Sequence, residues 1–372
     1  MAGAQLLTVW REARDWLFEE ALPFWADVGV DPTGGFHDQI DDARRPVATP
    51  KRLRVQGRQI FVFAEAGRLG WSGPWRDLVR HGLAFLDAHP PVDGLYPTVF
   101  GRPDRGDLLY DQTFALLGLA HARRALDAPE LDLHAQGFLE GLRRRLGRPD
   151  GGFNELGDDE APLQSNPNMH LYEALLAWRQ VSDAPIWRES AAALRRLSHE
   201  VFADPTTGRI GEFFSDDGRP APGELGRIAD PGHQFEWASL FMIDGRQDDA
   251  AAERLIRLAT DTGVDRDREV AVAAQDLDGH PIDRSARLWA QTERLRACLM
   301  FRGRSTDPGH WTDEAVAAAG AIRRYLNTPS SGLWRDCMDE HGRLDSDPVK
   351  ASSLYHIMVG YMALRDAAEG RL

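Results

Sequence analysis

The chain has 372 residues, 42% of them hydrophobic, with 11 Trp, 16 Phe and a formal net charge of -14. This is enough apolar material for a large core and aromatic cleft walls, and it excludes a disordered chain. The acidic balance speaks against a nucleic-acid partner, which needs clustered Lys and Arg, and favours a neutral ligand over a highly anionic one.

From the N-terminus, Leu6, Leu7, Trp10, Ala13, Trp16, Leu17, Ala21 and Trp25 recur at steps of three and four. That is the stripe of an amphipathic helix. Arg11, Glu12, Arg14 and Asp15 break its apolar run, so it does not read as a secretion signal. No window approaches the roughly 18 apolar residues of a membrane span, and a cytoplasmic location is expected. The same periodicity predicts further helices over 51–69, 73–88, 108–127, 130–147, 167–180, 185–203, 232–244, 247–264, 286–302, 311–327 and 350–368, which with the first make twelve.

Short glycine-aromatic or glycine-aliphatic segments separate them: Gly34-Gly35-Phe36, Gly94-Leu95-Tyr96, Gly151-Gly152-Phe153, Gly211-Glu212-Phe213 and Gly332-Leu333-Trp334. They read as tight turns opening short strands. Gly35 to Gly94 is 59 residues, Gly94 to Gly152 is 58 and Gly152 to Gly211 is 59; the last interval, 121, leaves room for one more turn between Glu269 and Gly279. A period near 60 is two helices with their connections, and six such units fill the chain. Solenoid repeats are shorter, about 34 to 47 residues. No Pro- or Ser-rich linker interrupts the series, so the expectation is one all-α domain over 1–372, an (α/α)6 barrel of six helical hairpins with short strand segments at one end. Cys298 and Cys337 offer no disulfide framework or metal motif and are expected as small buried residues.

Three of the twelve histidines stand at or near predicted helix starts: His170, in Asn168-Met169-His170 through Glu173; His233, in Gly232-His233 through Glu236-Trp237; and His356, in Tyr355-His356. His170 to His233 is 63 residues and His170 to His356 is 186, three repeats of 62, so all three are expected to point into one axial cavity. Asn168, Glu173 and Glu236 accompany them at spacings that suit imidazole-orienting partners. Three histidines and a carboxylate could also bind zinc, but no His-x-His or His-x-x-x-His pair supports it, and no metal is expected. Arg58, after the helix-weakening Gly57 and among Ile60, Phe61 and Phe63, is expected to be buried and paired, whereas Arg52 and Arg54 read as solvated. Tyr110, Asp111, Trp289 and Glu293 begin other inner helices, and aromatic faces beside carboxylates suit a sugar, with its apolar C–H faces and hydroxyl rim.

On these motifs, with Gln56-Gly57-Arg58-Gln59 and Tyr110-Asp111-Gln112, the sequence resembles the N-acylglucosamine 2-epimerase superfamily, which includes mannose isomerases, sulfoquinovose isomerases and cellobiose 2-epimerases, from about Gly34 to Ala367. The resemblance implies an (α/α)6 barrel and proton transfer without metal or nicotinamide cofactor. It implies His356 as the residue that shuttles a proton at C1 or C2, His233 as ring-opening or second acid/base group, and Arg58 as the group that binds the oxyanion. His170 and Glu236 match substrate-binding and supporting positions. The stretch Ala351 to Met358 departs from the Gly-x-Pro-Tyr-His of disaccharide epimerases and resembles the mannose-isomerase branch, so D-mannose to D-fructose interconversion by a monomer or homodimer is expected. The rivals are a C2 epimerase, a glycoside hydrolase using a pair among Asp111, Glu236 and Glu293, and a non-catalytic carbohydrate-binding protein.

Overall fold

The computed structural model describes residues 2–101, 108–156 and 162–372. Its helices follow the predicted ones closely. α1 (Ala2–Asp15) continues through a π-helical turn, Trp16–Ala21, into α2 (Leu22–Asp27), so the first predicted helix is continuous but widened. Then come α3 (Leu53–Leu69), α4 (Trp75–Ala88), α5 (Leu109–Leu126), α6 (Leu131–Leu146), α7 (Ser165–Arg179), α8 (Pro185–Leu197), α9 (Pro231–Asp244), α10 (Asp249–Gly263), α11 (Leu288–Arg302), α12 (Pro308–Leu326) and α13 (Ser353–Ala368).

Burial sorts these into two rings. Every residue of α9 from Pro231 to Met242 is buried, as is nearly all of α3, α5, α7, α11 and α13, whereas α4, α6, α8, α10 and α12 bury one stripe and face solvent with the other. The inner helices pack in the order α3, α5, α7, α9, α11, α13 and back to α3, and α1 packs on α13, so the first and last helices together complete the sixth hairpin. At one seam the approach is backbone to backbone: a Cβ on Gly57 would lie 2.0 Å from the Phe114 carbonyl oxygen, and Gly118 packs back on Gly57. The conformational cost of that glycine thus gives the closest contact between α3 and α5.

The turns before the inner helices are held by a recurring device. The side-chain amide of Gln56 accepts from the Phe36 N–H at 2.8 Å and donates to its carbonyl at 3.1 Å. Gln112 brackets Tyr96 in the same way, Asn168 Phe153, Gln234 Ile210 and Gln291 Ala271. Each bracket satisfies two buried backbone groups. It also corrects one expectation: the fourth turn takes its positive φ at Gly208 (79°), not at Gly211. The fifth takes it at Glu269 (52°), within the expected stretch from Glu269 to Gly279, which is why no glycine marks its start in the sequence. Among the described residues the strands, each of two or three residues, form four antiparallel pairs and one three-stranded antiparallel sheet. Among the described residues no helix is long and apolar enough to cross a membrane.

Candidate active site

The brackets fix what each inner helix presents to the axis. Two residues after each amide stand Arg58, Phe114, His170, Glu236 and Glu293, and in α13, where Leu354 replaces the amide, His356 follows it by two. These six form one layer. The Arg58 guanidinium lies 3.9 Å from the Phe114 ring centre, Phe114 and His170 are 4.7 Å apart between centroids, and His170 Nδ1 is 3.6 Å from Glu236 Oε1. Ligand atoms of Glu236, Glu293 and His356 lie within 4.8 Å of one another. The layer above contributes Arg54, Tyr110, Asn166, Trp289 and Ser352 to the wall of an open cavity of about 500 Å3. Asp230, Arg287, Asp336, Cys337, Asp345, Asp347 and Lys350 also line it.

His170, His233 and His356 therefore converge, but not in one phase. His170 and His356 are equivalent and their rings are 6.4 Å apart, whereas His233 stands one turn before the in-phase residue Glu236. The in-phase interval from His170 to Glu236 is 66 residues, longer than the mean repeat, which made the 63 residues to His233 look like a full period. Trp289 lies between His233 and His356, with ring centroids 5.0 and 5.6 Å away.

Other predicted site residues sit elsewhere. Asn168 spends its amide on Phe153 and on the Gln164 carbonyl and does not line the cavity. Asp111 is buried behind the wall, where its carboxylate takes Arg54 Nη1 at 2.8 Å and the Arg54 N–H at 3.2 Å. Arg54, read as solvated, is thus held into the cavity. Glu173 and Glu293 lie beneath the floor as supports. Glu173 accepts from the Tyr355 hydroxyl and pairs with His170 Nδ1 at 3.4 Å, and Glu293 pairs with His356 Nδ1 at 2.8 Å and with Arg296 at 3.3 Å. Cys298 is buried as expected, but Cys337 is half-buried at the cavity mouth.

Arg58 is 4% exposed yet, against expectation, has no carboxylate within ion-pairing distance among the described residues. Its guanidinium donates to the Tyr110 hydroxyl at 2.9 Å and weakly to the Ser352 carbonyl at 3.5 Å, rests on Phe114 and Tyr355, and leaves Nε without an acceptor. It is a buried cation with its charge uncompensated by contact. Glu236 is the complementary case. It is fully buried, neither carboxyl oxygen is hydrogen-bonded, and burial together with the nearby Glu293 and Glu173 raises its pKa well above the carboxylate range. Its burial without a hydrogen-bond partner favours the protonated, uncharged form.

The two imidazoles of His356 and His233 are shifted in opposite directions. Burial, with Arg58 next, pushes the His356 pKa well below 6.5. Burial also pulls on His233, but the carboxylates of Glu212 and Asp230 outweigh it and hold that ring at about 10, with Glu212 Oε1 2.9 Å from Nδ1. Glu212 was missed as a site residue although its Gly211-Glu212-Phe213 turn was singled out. Its signal, in the register of the brackets, is an acidic residue two after the bracketed one, a position that Asp38 and Glu155 hold in other units. Two groups, His170/Glu173/Glu236 and Glu236/Glu293/His356, are close enough to share a cation; in each pair the imidazole Nδ1 already faces a carboxylate.

A buried arginine, a buried carboxyl group without hydrogen bonds and two imidazoles in unlike charge surroundings around a hexose-sized cavity suit a sugar isomerase or epimerase. The comparisons agree. The model of the N-acylglucosamine 2-epimerase family matches residues 34–360. The chain belongs to this family. A mannose-6-phosphate isomerase of Rhizobium meliloti (strain 1021) is 37% identical over 95% of this chain and 96% of its own, and a D-mannose isomerase of Thermobifida fusca is 27% identical over 90% and 89%. Among solved structures, the cellobiose 2-epimerase of Spirochaeta thermophila DSM 6192 superposes with a TM-score of 0.85 at 20% identity, covering 98% of both chains, which shows the same barrel.

Proposed function

We propose that the protein interconverts an aldose and its ketose, D-mannose and D-fructose, without metal or nicotinamide. The observation that carries this reading is the unequal pair of imidazoles: His356 faces Arg58 and is neutral, and His233 sits between Glu212 and Asp230 and is cationic. With Nδ1 committed to Glu293, His356 offers a free Nε2 as base. It takes the C2 proton of the open-chain aldose as the electron pair forms the C1–C2 double bond, and the C1 oxygen becomes the enediolate oxygen beside Arg58. Glu236, neutral and unbonded at both oxygens, gives its proton to that oxygen and accepts the one from O2. His356 then returns its proton to C1 on the same face, giving the ketose. His233, as a cation, supplies a proton to the ring oxygen when the pyranose opens.

Epimerisation at C2 needs a proton donor on the opposite face, a part that a cationic His233 can also fill. The ketose is favoured over the C2 epimer by the relatives, a mannose-6-phosphate isomerase and a D-mannose isomerase. A second reading, with mannose 6-phosphate as substrate, is favoured by the 37% identical relative. Against it, Arg54 is already neutralised by Asp111, and Asp336, Asp345 and Asp347 stand at the mouth beside Arg287 and Lys350. The test is incubation with mannose, mannose 6-phosphate, glucose, N-acetylglucosamine and cellobiose in deuterated water, followed by NMR. Deuterium at C1 of fructose supports the reading. Deuterium only at C2 of an aldose, or turnover of the phosphate ester alone, overturns it.

A further inference from the structure

The inner helices run parallel, so the barrel axis has a second end, and it is not closed. Residues from the C-terminal halves of α3, α5, α7, α9, α11 and α13 enclose a cavity of about 280 Å3 there. Its wall is mostly aliphatic, including Leu117, Met300, Val359 and Met362, and Arg296 lines it beneath the catalytic floor. Arg296 is 7% exposed. Only its Nη1 is engaged, with Glu293 at 3.3 Å and Glu173 at 3.7 Å; Nε and Nη2 have no acceptor among the described residues. The other arginines at this end, Arg68 and Arg124, share the single carboxylate of the buried Glu65, and Glu173 and Asp366 are the acidic residues of the wall.

We infer that this distal cavity binds a short aliphatic monocarboxylate on the free edge of Arg296. A guanidinium edge with two unused donors matches a carboxylate in geometry and charge, and the aliphatic wall takes an alkyl tail that inorganic anions lack. The site is separate from the sugar cavity, yet the two share a floor: Arg296 holds Glu293, and Glu293 holds His356. Neutralising Arg296 removes one of the cations that depress His356, so occupancy raises the His356 pKa and moves the acid limb of turnover to higher pH. That second clause rests on His356 being the base; binding does not.

The probe is butyrate, titrated into the full-length protein by calorimetry, with turnover measured from pH 5 to 8. One saturable site is expected. Ala177→Trp and Met362→Trp, which fill the cavity from two different helices, should each weaken butyrate by about tenfold while leaving basal turnover unchanged. No saturable binding, equal binding to both filled variants, equal binding of chloride, or competition with the sugar overturns the site. Butyrate binding to a protein inactive on every sugar tested leaves the site standing and removes the isomerase reading. Binding with an unmoved acid limb overturns the coupling to His356.

Discussion

Two imidazole–carboxylate pairs stand on neighbouring walls of the same cavity with nearly equal geometry, His233–Glu212 at 2.9 Å and His356–Glu293 at 2.8 Å. Their protonation is opposite. The difference lies in what stands behind each pair. Asp230 adds a second carboxylate beside His233, whereas His356 faces Arg58 and Arg296, and its own partner Glu293 is raised by burial to about 7. A hydrogen-bonded carboxylate orients a ring and fixes its tautomer; the surrounding charges decide whether the ring works as acid or base.

The severest test of this asymmetry removes the base. His356→Ala should lower kcat by about 10²–10⁴-fold and abolish deuterium incorporation, and exchange that survives would move the base elsewhere. Next is the uncompensated cation. Arg58→Ala should cost about 10²–10³-fold in kcat, as loss of an oxyanion donor does, while Arg58→Lys restores only part because Tyr110 and Phe114 are placed for a planar guanidinium. A change confined to KM would mean that Arg58 only binds the ground state.

A milder change converts one pair toward the other. In Glu212→Gln the side chain still accepts from His233 but no longer carries charge, so the ring pKa drops from about 10 toward its ordinary value. Activity that depends on cationic His233 should persist in the wild type until pH approaches about 10 and fail at lower pH in the variant, with kcat at pH 8 down by about tenfold. An alkaline limb that stays in place would separate Glu212 from the charge of His233. The same shifts set opposite stability windows. The raised His233 contributes stability that is full below its unfolded value of about 6.5 and fades as pH climbs through about 10. The depressed His356 does the reverse, so stability falls as pH drops below about 6.5.

These roles were unevenly legible in the sequence. The barrel was visible because a closed ring of hairpins imposes one period on both helices and turns, and His170 and His356 were visible because they occupy equivalent positions in it. Asn168 and Asp111 were misplaced because polar residues at a helix start look alike in sequence whether they face the axis, as Tyr110 does, or the turn and wall behind it. Glu212 was missed because it reaches His233 from a turn 21 residues earlier, just ahead of the strand Phe213–Phe214. Arg296 was overlooked despite standing one helical turn after Glu293, a spacing at which side chains meet.

The finest test loosens the scaffold under each pair in turn. Gln234 brackets Ile210 ahead of the helix carrying His233, and Gln291 brackets Ala271 ahead of the helix carrying Trp289 and Glu293. Ile210 and Ala271 are both buried, so Gln234→Leu or Gln291→Leu leaves a backbone N–H and C=O without partners, at about 1–3 kcal/mol for each group. In a chain of this size each substitution should lower Tm by at least several degrees. If charge environment rather than exact placement separates the two pairs, both variants should keep kcat within about threefold at a temperature where they are folded. A loss in Gln291→Leu approaching that of His356→Ala, with Gln234→Leu unaffected, would show instead that the His356 side depends on a rigid floor, and the contrast between the pairs would be one of stiffness as well as charge.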